Sequence, residues 1–238
     1  MDEGFTDYSS TRAMAMLRNS PGFWYNGSYG GYYRLARSGY EEPASTHADH
    51  FNTNFASTSS AYSKGAVFME QLGYIVGADT RDKILHGYFN TWKFKHPNPN
   101  DFIRIAEKIS GLELDWYKEY WIYSTKTIDY AVGDIAMVDN KTSITIKRIG
   151  KMPMPIDVLV TYKDGTQEMH YMPLNLMYGA KPLETKTPTT VHAPWKWTHP
   201  DYSFTTSRAV GEIKSIEIDP SQRLADINKT NNKLVIPE

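Results

Sequence analysis

The chain contains no cysteine in its 238 residues. Disulfide bonds, thiolate metal sites and cysteine nucleophiles are therefore excluded, but the compartment stays open because exported bacterial proteins also commonly lack cysteine. The chain also lacks an excess of positive or negative residues, since its net charge is −1. This balance gives no support for binding to a nucleic acid or to an anionic membrane surface. No stretch approaches about 18 consecutive apolar residues, so no membrane span is predicted.

The composition that remains is typical of a globular protein. Hydrophobic residues make up 40% of the chain and charged residues 22%, and this length suits one large domain or two ordinary ones. The opening residues, MDEGF, place acidic side chains where a signal peptide carries positive charge. No signal peptide is therefore predicted.

Helical periodicity dominates the first half of the chain. In residues 61–77, apolar or small side chains recur at a spacing of three or four, at Tyr62, Ala66, Met69, Gly73 and Val76. This spacing predicts a core helix, with Ser59 and Ser60 positioned to cap its start and Gly77 to close its end in a left-handed conformation. Further helices are predicted at 4–18, 79–92, 99–111 and 114–123, the third of these capped by Asn98 with Pro99 in its first turn.

The segment 23–60 is rich in glycine, serine, asparagine and tyrosine, and its FWYNGSYGGYY run has no helical period. It predicts a long ordered surface loop. Loops of this length are commonly functional, or else they contain secondary structure that the pattern does not reveal.

The period changes after Ser124. Alternating or β-branched segments predict strands at 130–138, 143–147, 156–162, 168–172 and 213–218. Lys163-Asp164-Gly165 separates two of them as the turn of a hairpin. The chain is therefore divided into a helical part, 1–126, and a strand-rich part, 127–238, of α+β class, with an immunoglobulin-like β-sandwich predicted for the second.

Three motifs occur in the order found in a known family. Residues 1–8 read MDEGFTDY, Tyr62 to Gly65 reads Y-S-K-G, and 114–121 holds L-D-W-Y followed by Trp121. Together they resemble the glutamate-ligand helix, the tyrosine motif and the L-x-W-F-x-x-W helix of the zinc aminopeptidases of the aminopeptidase N and leukotriene hydrolase (gluzincin) family, bacterial type. The resemblance covers most of the chain and is densest in 1–130.

This resemblance implies a fold and a chemistry. It makes 1–126 the helical half of a thermolysin-like catalytic domain, Glu3 the third protein ligand of a catalytic zinc, and Tyr62 a donor to the oxyanion. Zinc in such a site polarises the scissile carbonyl and acidifies the attacking water. If both residues served one metal, the Glu3 carboxylate and the Tyr62 hydroxyl should lie within roughly 7 Å of each other. The intact enzyme would remove N-terminal residues from peptides, and a periplasmic or extracellular location is favoured for it.

The family's H-E-x-x-H motif is lacking. None of the seven histidines forms it, and His47 and His50, at i and i+3, lie in the predicted loop and are expected to have a surface or packing role. The general base and both histidine ligands would therefore lie before residue 1. We expect this chain alone to be inactive, to bind no zinc, and to self-associate through apolar faces of the 4–18 and 61–77 helices.

A second hypothesis is a non-catalytic module that binds a glycan or a protein. The tyrosine-rich loop and Trp195-Lys196-Trp197 would form its surface, although paired tryptophans more commonly serve packing. No G-x-G-x-x-G, P-loop or G-x-S-x-G pattern indicates another enzyme class. The two hypotheses differ in the place of the pocket: beside Glu3 and Tyr62, or near Trp195.

Overall fold

A computed structural model describes residues 2–237, which form two compact units that divide between Lys126 and Thr127. The first unit is helical and the second contains both β-sheets, so the mixed α+β content is confirmed. The thermolysin-like and immunoglobulin-like assignments stay predictions. In the described part of the chain, no helix combines the length and the apolar character that a membrane crossing requires.

The helices of the first unit are joined by short connections, except for the segment 38–53. They are α1 Asp2–Leu17, α2 Asn26–Arg37, α3 Asn54–Ser59, α4 Gly65–Val76, α5 Ala78–Trp92, α6 Pro99–Ser110 and α7 Asp115–Tyr123. A single π-helical turn, Ser60–Lys64, links α3 to α4 without a break.

The helix-capping residues predicted from the sequence are confirmed at α6. The Asn98 side chain accepts hydrogen bonds from the first-turn backbone, and the Asp101 carboxylate accepts one from the Asn98 backbone N–H, which completes a capping box. Gly111 ends the helix with φ of 72°, in the left-handed region that favours glycine. Gly77, with φ of 87°, likewise ends α4.

The predicted loop at 23–60 is wrong, because the segment contains α2 and α3. Tyr29, Tyr32 and Leu35 recur every third residue and are all buried, so tertiary packing overrides the low helix propensity of the neighbouring glycines. The predicted cap at Ser59 and Ser60 is also wrong. The helix runs through that point and begins at Asn54, where the Thr53 side chain accepts from the backbone N–H of Ala56 at 3.0 Å.

The central helix of this unit is α4, as its periodicity predicts. Every residue from Ala66 to Val76 is buried, so the prediction that this helix exposes an apolar face is wrong. Exposed apolar side chains occur instead near the end of α1, where Met16 and Leu17 are 60% and 78% exposed.

The second unit has eight strands among its described residues. They are β1 Tyr130–Val138, β2 Lys141–Arg148, β3 Ile156–Tyr162, β4 Gln167–Met172, β5 Thr189–Val191, β6 Asp201–Thr205, β7 Ile213–Ile218 and β8 Lys233–Val235. One sheet has the order β1-β2-β6 and the other β5-β4-β3-β7-β8. The pairs are antiparallel except for β4 with β5.

The hairpin predicted around Lys163-Asp164-Gly165 is confirmed. Ile156 pairs with Met172 and Thr161 with Gln167 in one antiparallel register, and Gly165 has φ of 84° in the turn. The two sheets meet through rings on their inner faces: the centroids of His170 and Phe204 are 4.3 Å apart. Alternate residues of β3 are fully buried, which explains the period of two in the sequence.

Candidate functional site

Helices α1 and α4 touch through glycine on both sides. A β-carbon built on Gly4 would lie 2.5 Å from the Cα of Gly65, and one built on Gly65 would lie 2.7 Å from the Cα of Gly4. Only hydrogen fits at either position, so the two backbones approach as closely as helices can. This contact places Glu3, next to Gly4, beside the turn that carries Tyr62.

The structure brings the two predicted site residues together. Both side chains are exposed, Tyr62 by 41%. Interaction with Glu3, by hydrogen bonding and by its negative charge, raises the pKa of the Tyr62 phenol above its ordinary value. At neutral pH Tyr62 is therefore a protonated donor facing a carboxylate. The separation of roughly 7 Å expected between the two groups and their catalytic and ligand roles stay predictions.

The π turn that carries Tyr62 is held by its neighbours. A β-carbon on Gly31 of α2 would lie 2.2 Å from the Ser63 hydroxyl oxygen, so α2 packs directly on the turn. On the same turn, the Lys64 Nζ is 2.7 Å from the Glu41 Oε1. Single π turns inside α-helices are frequent at functional sites, because the extra residue redirects side chains.

A cavity of about 970 Å³ adjoins the pair. Its walls include Asp2 and Phe5, which flank Glu3 along α1, and Ala61, which precedes Tyr62. Further walls are apolar side chains: Phe51, Phe68, Trp121 and Ile122. A ligand held at Glu3 and Tyr62 would therefore have room beside it for a large apolar group.

Comparisons with known proteins give likenesses in structure but not in sequence. No protein-family model and no curated protein matches the sequence. Among the matching solved structures is Legionella pneumophila aminopeptidase A in complex with aspartic acid, with a TM-score of 0.52 and 15% identity, covering 94% of this chain and 23% of that chain. The likeness supports a peptidase-like fold. At this identity it carries nothing about activity, and the chain spans less than a quarter of the neighbour.

The described residues give Glu3 no set of partner ligands. One group of His, Asp or Glu side chains in residues 2–237 is close enough to share an ion, Glu107, Glu113 and Asp115, and Glu3 is not part of it. His47 and His50 are both exposed, on a 3-10 turn, with ring centroids 5.4 Å apart. The Nδ1 of His47 accepts from the backbone N–H of Asp49 at 3.2 Å, which fits the surface role expected for this histidine.

Trp195 belongs to the core of the second unit. It is 2% exposed, its ring lies against Tyr130 and Tyr202 at 5.5 Å and 5.4 Å, and its Nε1 donates to the carbonyl of His199 at 3.0 Å. Trp197 is 43% exposed. Trp195 is buried and cannot stack on a sugar, so the two tryptophans do not form one binding surface, and the binding-module hypothesis stays a prediction.

The second unit contains a series of hydrogen-bonded polar side chains that the sequence did not reveal. The Nε2 of His170 is 3.1 Å from the Glu168 Oε1, and its Nδ1 is 2.9 Å from the His192 Nε2. Because an ionised carboxylate only accepts, His170 donates through Nε2 and accepts from His192 through Nδ1. Burial lowers the pKa of both histidines. Burial opposes the charge on Glu168, but hydrogen bonds from Tyr162, Ser207 and His170 outweigh it and hold the pKa of Glu168 below its ordinary value.

Sequence reasoning also missed Glu41 and Lys64. Their side chains are 6% and 4% exposed, and they are 23 residues apart in the chain. No local pattern joins them. A lysine on the inner face of a predicted core helix is the one signal that could have indicated a buried partner.

Proposed function

We propose that this chain is part of a zinc-dependent aminopeptidase, comprising the helical half of its catalytic domain and the β domain that follows. Glu3 would be a zinc ligand and Tyr62 the donor to the developing oxyanion. The observation that carries the proposal is the Gly4–Gly65 crossing, which sets Glu3 beside the turn that carries Tyr62. The peptidase-like fold is a second, coarser support.

The donor chemistry of this site fits a zinc centre in part. An exposed carboxylate is an ordinary zinc ligand, and a cavity adjoins it. Zinc in such centres is held by three protein ligands, in one common form two histidines and a glutamate. Since Glu3 belongs to no group of three such ligands in residues 2–237, both histidines and the general base would be supplied by another segment of the enzyme.

Each of the two residues would have a distinct task. Bound zinc in such a centre polarises the substrate carbonyl and acidifies water. Tyr62, protonated at neutral pH, would donate a hydrogen bond to the carbonyl oxygen as negative charge develops on it. Glu3 raises the pKa of the Tyr62 phenol, so the phenol would keep its proton for this task. The cavity would receive a neighbouring part of the peptide.

The first test is to read the gene. The DNA upstream of codon 1 should encode an in-frame H-E-x-x-H segment. In the enzyme encoded by that longer frame, Tyr62→Phe should lower kcat on an aminoacyl anilide by about 10²- to 10³-fold. KM should change little, because the lost hydrogen bond acts at the transition state.

Tyr178→Phe is the matched control, since Tyr178 is 85% exposed on the second unit and should leave kcat unchanged. Two results would overturn the proposal. One is the absence of any in-frame H-E-x-x-H, and the other is full activity of the Tyr62→Phe enzyme.

A further inference from the structure

Two polar side chains on the walls of the cavity beside the candidate site have hydrogen-bonding groups without a partner. Ser60 is 4% exposed and Trp121 is 2% exposed, and both residues line the cavity. Among residues 2–237, neither the Ser60 hydroxyl oxygen nor the Trp121 Nε1 has a hydrogen-bond partner. Buried polar groups in native proteins are normally paired, because an unpaired one destabilises the fold. A partner for each is therefore expected from the cavity.

Other contacts hold these two residues in place. Ser60 begins the π turn, and its backbone N–H donates to carbonyls of the preceding helical turn. Trp121 lies in the last turn of α7, where its ring centroid is 5.4 Å from that of Tyr32 and 6.2 Å from that of Tyr117. None of these contacts uses the Ser60 hydroxyl or the Trp121 N–H, so both groups are available to a ligand.

The rest of the cavity favours an aromatic ligand without charge. Aromatic side chains form much of its wall: Phe5, Phe51, Phe68 and Tyr88. Aromatic rings pack well against another planar ring. The buried charge on the wall, Lys64, is already paired with Glu41 at 2.7 Å. The wall therefore does not require a ligand of opposite charge, and burying a charged group without a partner would be costly.

The chemistry of the two unpaired groups selects a hydroxyl on that ring. The indole N–H of Trp121 can only donate, whereas the hydroxyl of Ser60 can donate and accept. A ligand must therefore offer an acceptor to Trp121, and it can offer either type of group to Ser60. An aromatic hydroxyl carries an acceptor and a donor on one oxygen, attached to the ring that the walls favour.

We propose that the cavity binds the phenol of a tyrosine side chain in a peptide, with the phenol oxygen accepting from the Trp121 Nε1 and hydrogen-bonded to the Ser60 hydroxyl. The inference rests on the proposed function for the peptide nature of the ligand. The preference for a phenol rests on Ser60 and Trp121, neither of which has a part in zinc binding. A phenylalanine side chain would fill the same space but leave both groups unpaired, so the site discriminates against it.

The test uses this chain and two matched probes, N-acetyl-tyrosinamide and N-acetyl-phenylalaninamide, which differ by the hydroxyl alone. Binding is followed by NMR through the indole N–H resonance of Trp121, which is assigned with a Trp121→Phe chain. The tyrosine probe should move this resonance downfield and should bind about 10-fold more tightly than the phenylalanine probe. Free p-cresol is the third probe. Binding of p-cresol without binding of N-acetyl-tyrosinamide would contradict a peptide ligand.

Ser60→Ala is the decisive variant. It removes a buried hydroxyl that has no partner in the described part of the chain, so it should fold as the native chain does. It should weaken binding of the tyrosine probe by about 3- to 10-fold and leave the phenylalanine probe unaffected. Ser57→Ala is the matched control: Ser57 lines the same cavity but is more exposed, so water can satisfy its hydroxyl. It should leave the ratio of the two affinities unchanged.

Three results would overturn the inference. They are equal affinity for the two peptide probes, a ratio that Ser60→Ala leaves unchanged, and no binding of either probe to the native chain. The last result would mean that water satisfies Ser60 and Trp121. An intact enzyme without zinc-dependent hydrolysis would instead overturn the proposed function alone, since the preference for the tyrosine probe is measured on this chain without zinc.

Discussion

Gly4 and Gly65 meet with no space for a side chain between them, because a β-carbon on either would lie 2.5 to 2.7 Å from the α-carbon of the other. The contact joins the helix that carries Glu3 to the helix that follows Tyr62. The geometry of the candidate site therefore depends on two residues that carry no functional group.

Gly65→Ala should destabilise the first unit by about 1–3 kcal/mol, because the new methyl group forces the helices apart. Gly30→Ala is the matched control: Gly30 lies inside α2, and a β-carbon there would meet nothing within 4 Å. It should stabilise by about 0.5–1 kcal/mol through helix propensity. Urea unfolding measures both. Equal effects of the two substitutions would show that the close approach is absent in solution.

The isolated chain should bind Zn²⁺ no more tightly than a surface carboxylate does, since Glu3 has no partner ligands among the described residues. Calorimetric titration at neutral pH measures this, and aminoacyl-anilide hydrolysis should be absent. Any weak heat of zinc binding should disappear in the Glu113→Gln variant, which lacks one member of the acidic group formed by Glu107, Glu113 and Asp115. A stoichiometric site of sub-micromolar affinity that survives this substitution would contradict the assignment of the missing ligands to another segment.

Trp195→Ala should destabilise the second unit by about 3–5 kcal/mol, because it empties a core position that is 2% exposed. Trp197→Ala removes the same ring two residues away, at a position that is 43% exposed, and should change stability by less than about 0.5 kcal/mol. Thermal or urea unfolding distinguishes the two. A similar loss from both would mean that Trp197 is also packed.

The histidines of the second unit should make its stability depend on pH. Burial lowers the pKa of His170 and His192, so the unfolded chain binds protons first as the pH falls. The stability they contribute is complete above the ordinary histidine pKa of about 6.5 and is lost as the pH falls through the lowered values. His170→Gln with His192→Gln removes both groups, so the wild type should lose stability relative to this variant as the pH falls below about 6.5.

The wild type must be compared with the histidine variant because two buried carboxyl groups change the stability with pH in the opposite direction. Burial raises the pKa of Asp219 and Asp226 to about 6, which makes the folded state bind protons first as the pH falls. Their contribution grows on acidification and cancels between the two chains. A stability difference that does not change with pH would show that the buried histidines do not titrate with folding.

The features that the sequence predicted are the local ones. The capping box of α6, the glycine after α4 and the β3–β4 turn each involve a few consecutive residues, whose chemistry determines the backbone directly. The strands missed by the sequence are short: β5 and β8 have three residues and β6 has five. Such segments hold their conformation only by pairing with a neighbour, so their own residues give little signal.

The candidate site was predicted only where a motif resemblance reached it. Glu3 and Tyr62 were proposed in this way, and their proximity was predicted from the shared metal that the family implies. The contacts that hold the turn carrying Tyr62 were not predicted. In the sequence, Gly31 indicates a helix breaker, whereas in the structure it makes room for Ser63. The Glu41–Lys64 pair joins two segments that share no local sequence pattern. These contacts depend on the fold as a whole.

Because of the π turn between α3 and α4, the geometry of the site depends on the number of residues in this turn as well as on their types. Deleting Ser63 would restore ordinary α-helical bonding from Asn54 onward and give a more regular helix. Straightening the turn into ordinary α-helix with Ser63 kept would instead rotate Tyr62 by about 100° relative to α4, because the π turn would no longer absorb the extra residue. A transplant of these helices into another scaffold would therefore have to copy the irregular turn, because an idealised helix with every side chain retained would lose the site.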